Sequence, residues 1–334
     1  MTAPVRPPQV WATASWRAEA VDWIHERLAA AGESVTGPVS EPRLMPWSAT
    51  MRVPTSTGTV WFKANGSGTA YEPRLLSALR DWASSRWTTD VVAVDDRRAW
   101  SLTLDGGEPL KHRLAVDGDL RWWEGALAEH AELQRALMPH ADELLALGVP
   151  DLRPSVQPGR LGEVLARPDE LLPGRPGGLT TAQYSALRGL AAEHNRWCAE
   201  LTAGGIAPSL QHDDLHDDNV LLGRSGEYRF FDWGDASVSH PFGVLVGVLD
   251  NVGRDRRFTS AQVGRLRDVY LEPWTAEYDR AHLVADCDLA LRVARTGRVL
   301  NWHRLLTPLR SAERIEYAET LADWLAESLA PPSP

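Results

Sequence analysis

His212-Asp213-Asp214-Leu215-His216-Asp217-Asp218-Asn219 runs straight into the apolar Val220-Leu221-Leu222, and after a glycine-containing turn comes Tyr228-Arg229-Phe230-Phe231-Asp232-Trp233-Gly234-Asp235. The pattern reads as a polar loop, a short strand, a turn and a second strand. A tight hairpin brings the outer ends of its strands together, so carboxylates and an amide placed there converge. Oxygen donors of this kind suit Mg²⁺, which takes few protein ligands beside its waters and accepts nucleotide phosphate oxygens for the rest. Without a cation, buried carboxylates gathered at one place are costly unless they are neutralised.

Upstream, Trp16, Ala20, Trp23, Ile24 and Leu28 recur at helical spacing, with Thr13 or Ser15 as cap and Gly32 as stop. From Arg43 to Ala64 the texture turns to β. Met51–Val53 and Thr59–Phe62 flank Thr55-Ser56-Thr57-Gly58, a hairpin turn, and Lys63 closes the second run. A helix is expected from Thr69 to about Trp87, then strands over Val91–Val94 and Arg98–Leu104, ending in Asp105-Gly106-Gly107. Beyond it the periodicity is helical over Arg121–Gly148, interrupted at Met138-Pro139, then over Thr180–Ala203 and Thr275–Arg298. The Pro- and Gly-rich stretch from Pro150 to Gly178 reads as a loop.

The 334 residues suffice for one large or two modest domains, and 43% hydrophobic with 24% charged residues is the balance of an ordinary globular chain. With 35 basic against 45 acidic residues the formal charge is −10, which disfavours nucleic acid and anionic lipid as partners. Lys63 and Lys111 are the only lysines. Cys198 and Cys287 show no CxxC spacing, so neither a disulfide framework nor a Cys-rich zinc site is indicated, and a reducing compartment fits. The Pro-rich opening lacks the apolar core of a signal peptide, and Phe242–Leu249 is too short to span a bilayer. The expectation is a soluble cytoplasmic protein.

In its HxDxxxxN loop, His212 to Asn219, followed by Asp232-Trp233-Gly234, the chain resembles the aminoglycoside phosphotransferase and choline kinase family, which shares the protein-kinase-like fold. The separations of five from Asp214 to Asn219 and thirteen from Asn219 to Asp232 suit a kinase catalytic loop and its metal-binding Asp. The resemblance implies an α+β, two-lobe architecture. Residues 1–104 would form a nucleotide-binding lobe with the opening helix and an antiparallel, five-stranded or similar sheet. Residues 105–334 would form a helical lobe holding the catalytic loop and the acceptor site.

By the same resemblance, Asp214 accepts or orients the proton of the attacking hydroxyl, and Asn219 and Asp232 hold Mg²⁺ against the phosphates of ATP or GTP. Lys63 contacts phosphate from the third strand of the small lobe, and Glu72 pairs with it. Pro46-Trp47-Ser48-Ala49-Thr50 stands as the hairpin over the phosphates, with Ser48 in place of glycine. Leu102-Thr103-Leu104 offers backbone groups to the nucleotide's base. The loop departs from the usual HGDLHPGN form at Asp213 and at Asp217-Asp218, and extra carboxylates there favour a cationic acceptor. Acceptor walls are placed at Asp235, Asp250, Trp302 and His303, from their position after the hairpin. The acceptor itself is an aminoglycoside or other antibiotic, an amino alcohol or a sugar.

Plainer readings stand beside these. His212 and His216 are a zinc pair by spacing, but no HExxH glutamate accompanies them, and bracing of the loop by hydrogen bonds is the alternative. Asp213, Asp217 and Asp218 also read as a solvated acidic turn. Thr69-Ala70-Tyr71-Glu72 fits a capping box, which would occupy Glu72 otherwise than with Lys63. Lys63 can also be a solvated strand-end lysine, and the fifteen tryptophans are mostly core fillers. Two other functions are open: a nucleotide-binding regulatory protein without turnover, motivated by the glycine-free hairpin and short Lys63–Glu72 separation, and a protein kinase. The latter has little room for a peptide-docking segment before His240-Pro241.

Overall fold

The structure, a computed structural model, describes residues 9–83, 86–176, 178–309 and 317. Ser84, Ser85, Gly177 and the Pro-rich opening up to residue 8 lie outside the described residues. The chain forms two compact units: residues 1–108 with 221–234, and residues 109–220 with 235–334. This differs from the expected division after residue 104, because the hairpin that follows the polar loop returns to the first unit.

In the first unit α1 (Ala14–Ala30) starts where Thr13 accepts the Trp16 N–H at 3.3 Å. The strands are β1 (Arg43–Leu44), β2 (Ser48–Pro54) and β3 (Thr59–Asn65), then, after α2 (Glu72–Trp82), β4 (Val91–Asp95) and β5 (Trp100–Leu104). They form one antiparallel five-stranded sheet in the order β1-β2-β3-β5-β4. The expected turn is present: Thr55 N–H donates to the Gly58 carbonyl at 2.7 Å. Alternation in β3 sends Val60 and Phe62 to one face and Lys63 to the other. Phe62 meets Trp16, Trp23 and Trp100 with ring centroids 5.4–6.2 Å away, so the α1 tryptophans are core. Each such buried ring contributes about 1.5–3 kcal/mol by removing apolar surface from water.

Glu108–Pro109 forms β6. The chain continues through α3 (Leu110–Asp117), α4 (Arg121–Leu137), α5 (Ala141–Ala146), α6 (Gln157–Leu165), α7 (Pro168–Leu171) and α8 (Thr181–Ala203). Then come β7 (Ser209–Gln211), β8 (Val220–Leu222), β9 (Tyr228–Phe230), β10 (Ser237–Ser239), α9 (Leu245–Arg254), α10 (Ser260–Leu271) and α11 (Arg280–Leu306). The strands β6-β8-β9 make a second small sheet, and β7 pairs antiparallel with β10. Gly107 has no substitute in this sheet: its φ is +124°, and a Cβ would lie 2.1 Å from the Leu222 carbonyl oxygen.

Three sequence expectations are corrected. The stretch from Pro150 to Gly178 is not all loop: Pro158 and Pro168 stand in the first turns of α6 and α7, where a missing N–H costs nothing, and Leu161, Val164 and Leu171 are buried. The helix expected from Thr69 begins at Glu72 and ends at Trp82. The last long helix spans Arg280–Leu306, capped by Asp279, which accepts the His282 N–H at 3.0 Å. Cys198 and Cys287 are free and buried, and no described helix is long and apolar enough to cross a membrane.

Candidate active site

In the first unit the Lys63 ammonium sits between two carboxylates, 2.6 Å from Glu72 Oε2 and 2.5 Å from Asp232 Oδ1. Burial alone would lower the Lys63 pKa, but Asp232 and Glu72 outweigh it and raise it. Glu72 is 2% exposed; burial pushes its carboxyl upward against the pull of Lys63. The short separation between the two is bridged by a tight connection. Gly66 N–H donates to the Trp47 carbonyl at 2.7 Å, and Thr69 Oγ1 bonds to Trp47 O at 3.2 Å and Gly66 O at 3.4 Å. Thr69 therefore does not cap α2, and Glu72, at the helix's first position, turns to Lys63 instead of closing a capping box.

Asp232 holds a left-handed backbone, φ +62°, which Asp tolerates better than most residues. The segment after it is pinned: Tyr71 Oη donates to the Gly234 carbonyl at 2.7 Å, and Trp233 is fully buried. Two carboxylates against one ammonium leave this group one negative charge in excess. Asp232, with 49% of its side chain exposed, is placed to offer oxygen to a divalent cation.

Ser48 opens β2, and its carbonyl accepts the Met45 N–H at 2.8 Å, closing the β1–β2 turn over Met45-Pro46-Trp47. Thr103 and Leu104 lie in β5, within the strand expected over Arg98–Leu104. β5 lies between β3 and β4, with Thr103 opposite both Trp61 and Val91, and the Leu104 N–H is donated to Asp90 O at 2.8 Å.

The second unit carries Asp214 and Asn219. Asn219 Nδ2 donates to the Asp214 carbonyl at 2.9 Å and approaches Asp214 Oδ2 at 3.4 Å, which leaves its amide oxygen as the atom for a metal. Arg298 Nη2 lies 3.3 Å from Asp214 Oδ1, and His216 Nε2 lies 3.5 Å from Oδ2. Burial works to raise the Asp214 carboxyl, but His216 and Arg298 prevail and hold it down at about 2. His216 is also braced at its other nitrogen, where Nδ1 accepts the Asp218 N–H at 3.2 Å. His216, Asp217 and Asp218 approach one another, but Asp218 is ion-paired with Lys111, and His212 is outside the group. Bracing is what His216 does here.

Asp213, where the usual loop has glycine, has φ +60° and a buried side chain that accepts from Gln211 Nε2 and Ser237 Oγ, tying the loop to β7 and β10. Burial pushes its carboxyl up to about 6 from the ordinary 3.8, against these donors and the charges of Arg298 and Arg304. Between pH ~4 and ~6 the folded chain thus keeps a proton that the unfolded chain has released, so this group's contribution falls as pH rises. Asp213→Asn, tolerated at positive φ, is expected to gain on the parent as pH rises from 5 to 8, by about 1.4 kcal/mol. Urea unfolding at the two pH values measures it, and a gap that stays constant contradicts the assignment.

Of the expected acceptor residues, Asp250 pairs with Arg295 at 3.0 Å and His303 with Glu170 at 3.1 Å, so both are engaged within the fold. The Asp235 carbonyl accepts Asn301 Nδ2 at 2.7 Å, and Trp302 packs on a leucine-rich cluster.

The family model described as APH, phosphotransferase enzyme family, matches residues 102–284, more than half the chain and all of the polar loop and hairpin. The chain belongs to this family. Among solved structures, the phosphotransferase is similar to an ethanolamine kinase of Plasmodium vivax, with a TM-score of 0.61 at 12% identity over 96% of this chain and 90% of that one. It is also similar to a macrolide 2′-phosphotransferase of Brachybacterium faecium, with a TM-score of 0.54 at 17% identity over 94% and 99%. A choline kinase of Streptococcus pneumoniae gives 0.54 at 12% identity over 92% and 99%. No curated protein sequence matches the chain. At these identities the structures speak for the fold, a protein-kinase-like one with a small antiparallel sheet and a larger helical part.

Sequence reading of the phosphotransferase missed Arg298, Tyr71 and the anchoring role of Asp213. A signal for the first was present in Arg295-Thr296-Gly297-Arg298-Val299-Leu300-Asn301, polar residues every third position in a helix that is otherwise apolar there.

Proposed function

We propose that this phosphotransferase is a small-molecule kinase that moves the γ-phosphoryl group of Mg-ATP or Mg-GTP to a hydroxyl of an antibiotic, an amino alcohol or a sugar. The observation that carries the reading is the Lys63 ammonium held between Glu72 and Asp232, a geometry with no use in a solvated surface lysine. In this reading Lys63, oriented by Glu72, contacts the nucleotide phosphates, with Ser48 at the β1–β2 turn nearby. Asn219 and Asp232 are the metal's protein ligands. Bound Mg²⁺ supplies neutralisation of phosphate charge, the main requirement of phosphoryl transfer.

Asp214 takes the proton. The acceptor oxygen forms its bond to the γ-phosphorus, the bond from that phosphorus to the bridging oxygen breaks, and the hydroxyl proton passes to the Asp214 carboxylate. The nucleoside diphosphate leaves with the bond's electron pair. Asp214 is ionised throughout the neutral range, as an acceptor of protons must be. A nucleotide-binding protein without turnover is the alternative; the Lys63–Glu72 pair removes one of its two motives, leaving the glycine-free turn.

The acidic loop does not by itself favour a cationic acceptor, since Asp213 and Asp218 have partners inside the fold. Two free, buried thiols agree with work in a reducing cytoplasm. Incubation with Mg²⁺, ATP or GTP and a panel of aminoglycosides, macrolides, amino alcohols and sugars, read by mass spectrometry, should yield one acceptor bearing an added phosphate. The reading fails if Mg-nucleotide binds but no acceptor, and no water, receives phosphate.

A further inference from the structure

Within the second unit, α11 lays three polar side chains along one stripe, each reaching a different segment. Arg295 pairs with Asp250 of α9 at 3.0 Å, Arg298 reaches Asp214 at 3.3 Å, and Asn301 donates to the Asp235 carbonyl at 2.7 Å. Spacing of three keeps them on one face. Arg298 is 8% exposed, and its stem and head are packed rather than reaching into solvent. Gly247 of α9 makes the room: a Cβ there would lie 3.1 Å from the Leu215 carbonyl and 3.7 Å from Arg298 Nη1. A guanidinium so placed is too enclosed to recognise an acceptor by itself, but it is well placed to fix a carboxylate.

We infer that Arg298 is the positioning residue of the reaction, holding Asp214 by Oδ1 so that Oδ2, whose nearest donors stand at 3.4 and 3.5 Å, takes the acceptor's proton. The inference rests on the reading of Asp214 as proton acceptor. A carboxylate free to rotate presents Oδ2 to the hydroxyl only part of the time, and misplacement of about 1 Å costs about 10²-fold in rate. Arg295 and Asn301 then keep α11 in register with the loop it serves.

The test uses Arg298→Met and Arg298→Lys, assayed with the acceptor found by the screen or, lacking one, by Mg-nucleotide hydrolysis to water. Arg298→Met should lower kcat about 10²-fold, with the acceptor KM and the calorimetric Kd for Mg-nucleotide within about threefold of the parent. Arg298→Lys, which keeps charge and one donor, should recover part of that loss, and guanidinium added to Arg298→Ala should raise its kcat. An unchanged kcat in Arg298→Met, or a raised KM with kcat intact in either variant, overturns the inference. If Arg298→Met does not fold, Arg298→Lys decides by the same split of kcat against KM. Asp214→Asn separates the two levels. If it is fully active, the reading of Asp214 has failed; if it is inactive while Arg298→Met is fully active, only the role of Arg298 has.

Discussion

Asp214→Asn should leave a folded protein that binds Mg-nucleotide normally and turns over about 10²- to 10⁴-fold more slowly, the usual worth of a placed general base. The substitution is nearly isosteric: the side-chain oxygen can still accept from Arg298, and the Asn219 bond to the backbone carbonyl is untouched. What disappears is the negative charge, and with it the place for the acceptor's proton. Steady-state rates and nucleotide calorimetry on the same preparation check it. A rate within about tenfold of the parent, which is some 1.4 kcal/mol of barrier, sinks the assignment of Asp214.

Asp232→Asn should behave differently, losing affinity for Mg-nucleotide as well as rate. Asparagine accommodates the positive φ at this position, so the backbone is not put at risk as it would be by alanine. Lys63 keeps Glu72 at 2.6 Å, and the melting temperature should therefore move little. Removing a charged oxygen ligand weakens a contribution of several kcal/mol to charge neutralisation, so kcat/KM should fall by about 10³-fold. Raising Mg²⁺ should recover part of it. Calorimetry with Mg-nucleotide on both variants is the discriminating measurement, because equal loss of binding in the two would abolish the division of labour between them.

Much of the fold and of the candidate site could be read without coordinates because the proposed chemistry asks for residue types at fixed separations. Asp214, Asn219 and Asp232 had to be oxygen donors flanking a hairpin, and Val220–Leu222 and Tyr228–Phe230 had to be its strands. Helix α1 was legible from its apolar period and Thr13, and the sheet from alternation around the Thr55–Gly58 turn. Harder cases were those where one local pattern has two outcomes. Thr69 and Glu72 match a capping box, yet the pull of Trp47 O, 22 residues away, on Thr69 and of Lys63 on Glu72, both outside the helix, decides otherwise. Pro158 and Pro168 stand in a Pro- and Gly-rich stretch that reads as loop, though proline also begins helices. Arg298 lies 84 residues from Asp214, a contact that no local pattern encodes.

The scarcity of lysine has a practical side. Lys63 and Lys111 carry the only ε-amines of the chain, and each is clasped by carboxylates, Lys63 by Glu72 and Asp232 and Lys111 by Asp218. For Lys63, burial alone would lower the pKa, but Asp232 and Glu72 raise it, and an amine kept protonated is a poor nucleophile toward acylating reagents. Covalent labelling at near-neutral pH should therefore reach the more exposed Lys111 before Lys63, and the modification of Lys63 becomes a reporter of whatever draws Asp232 away from it.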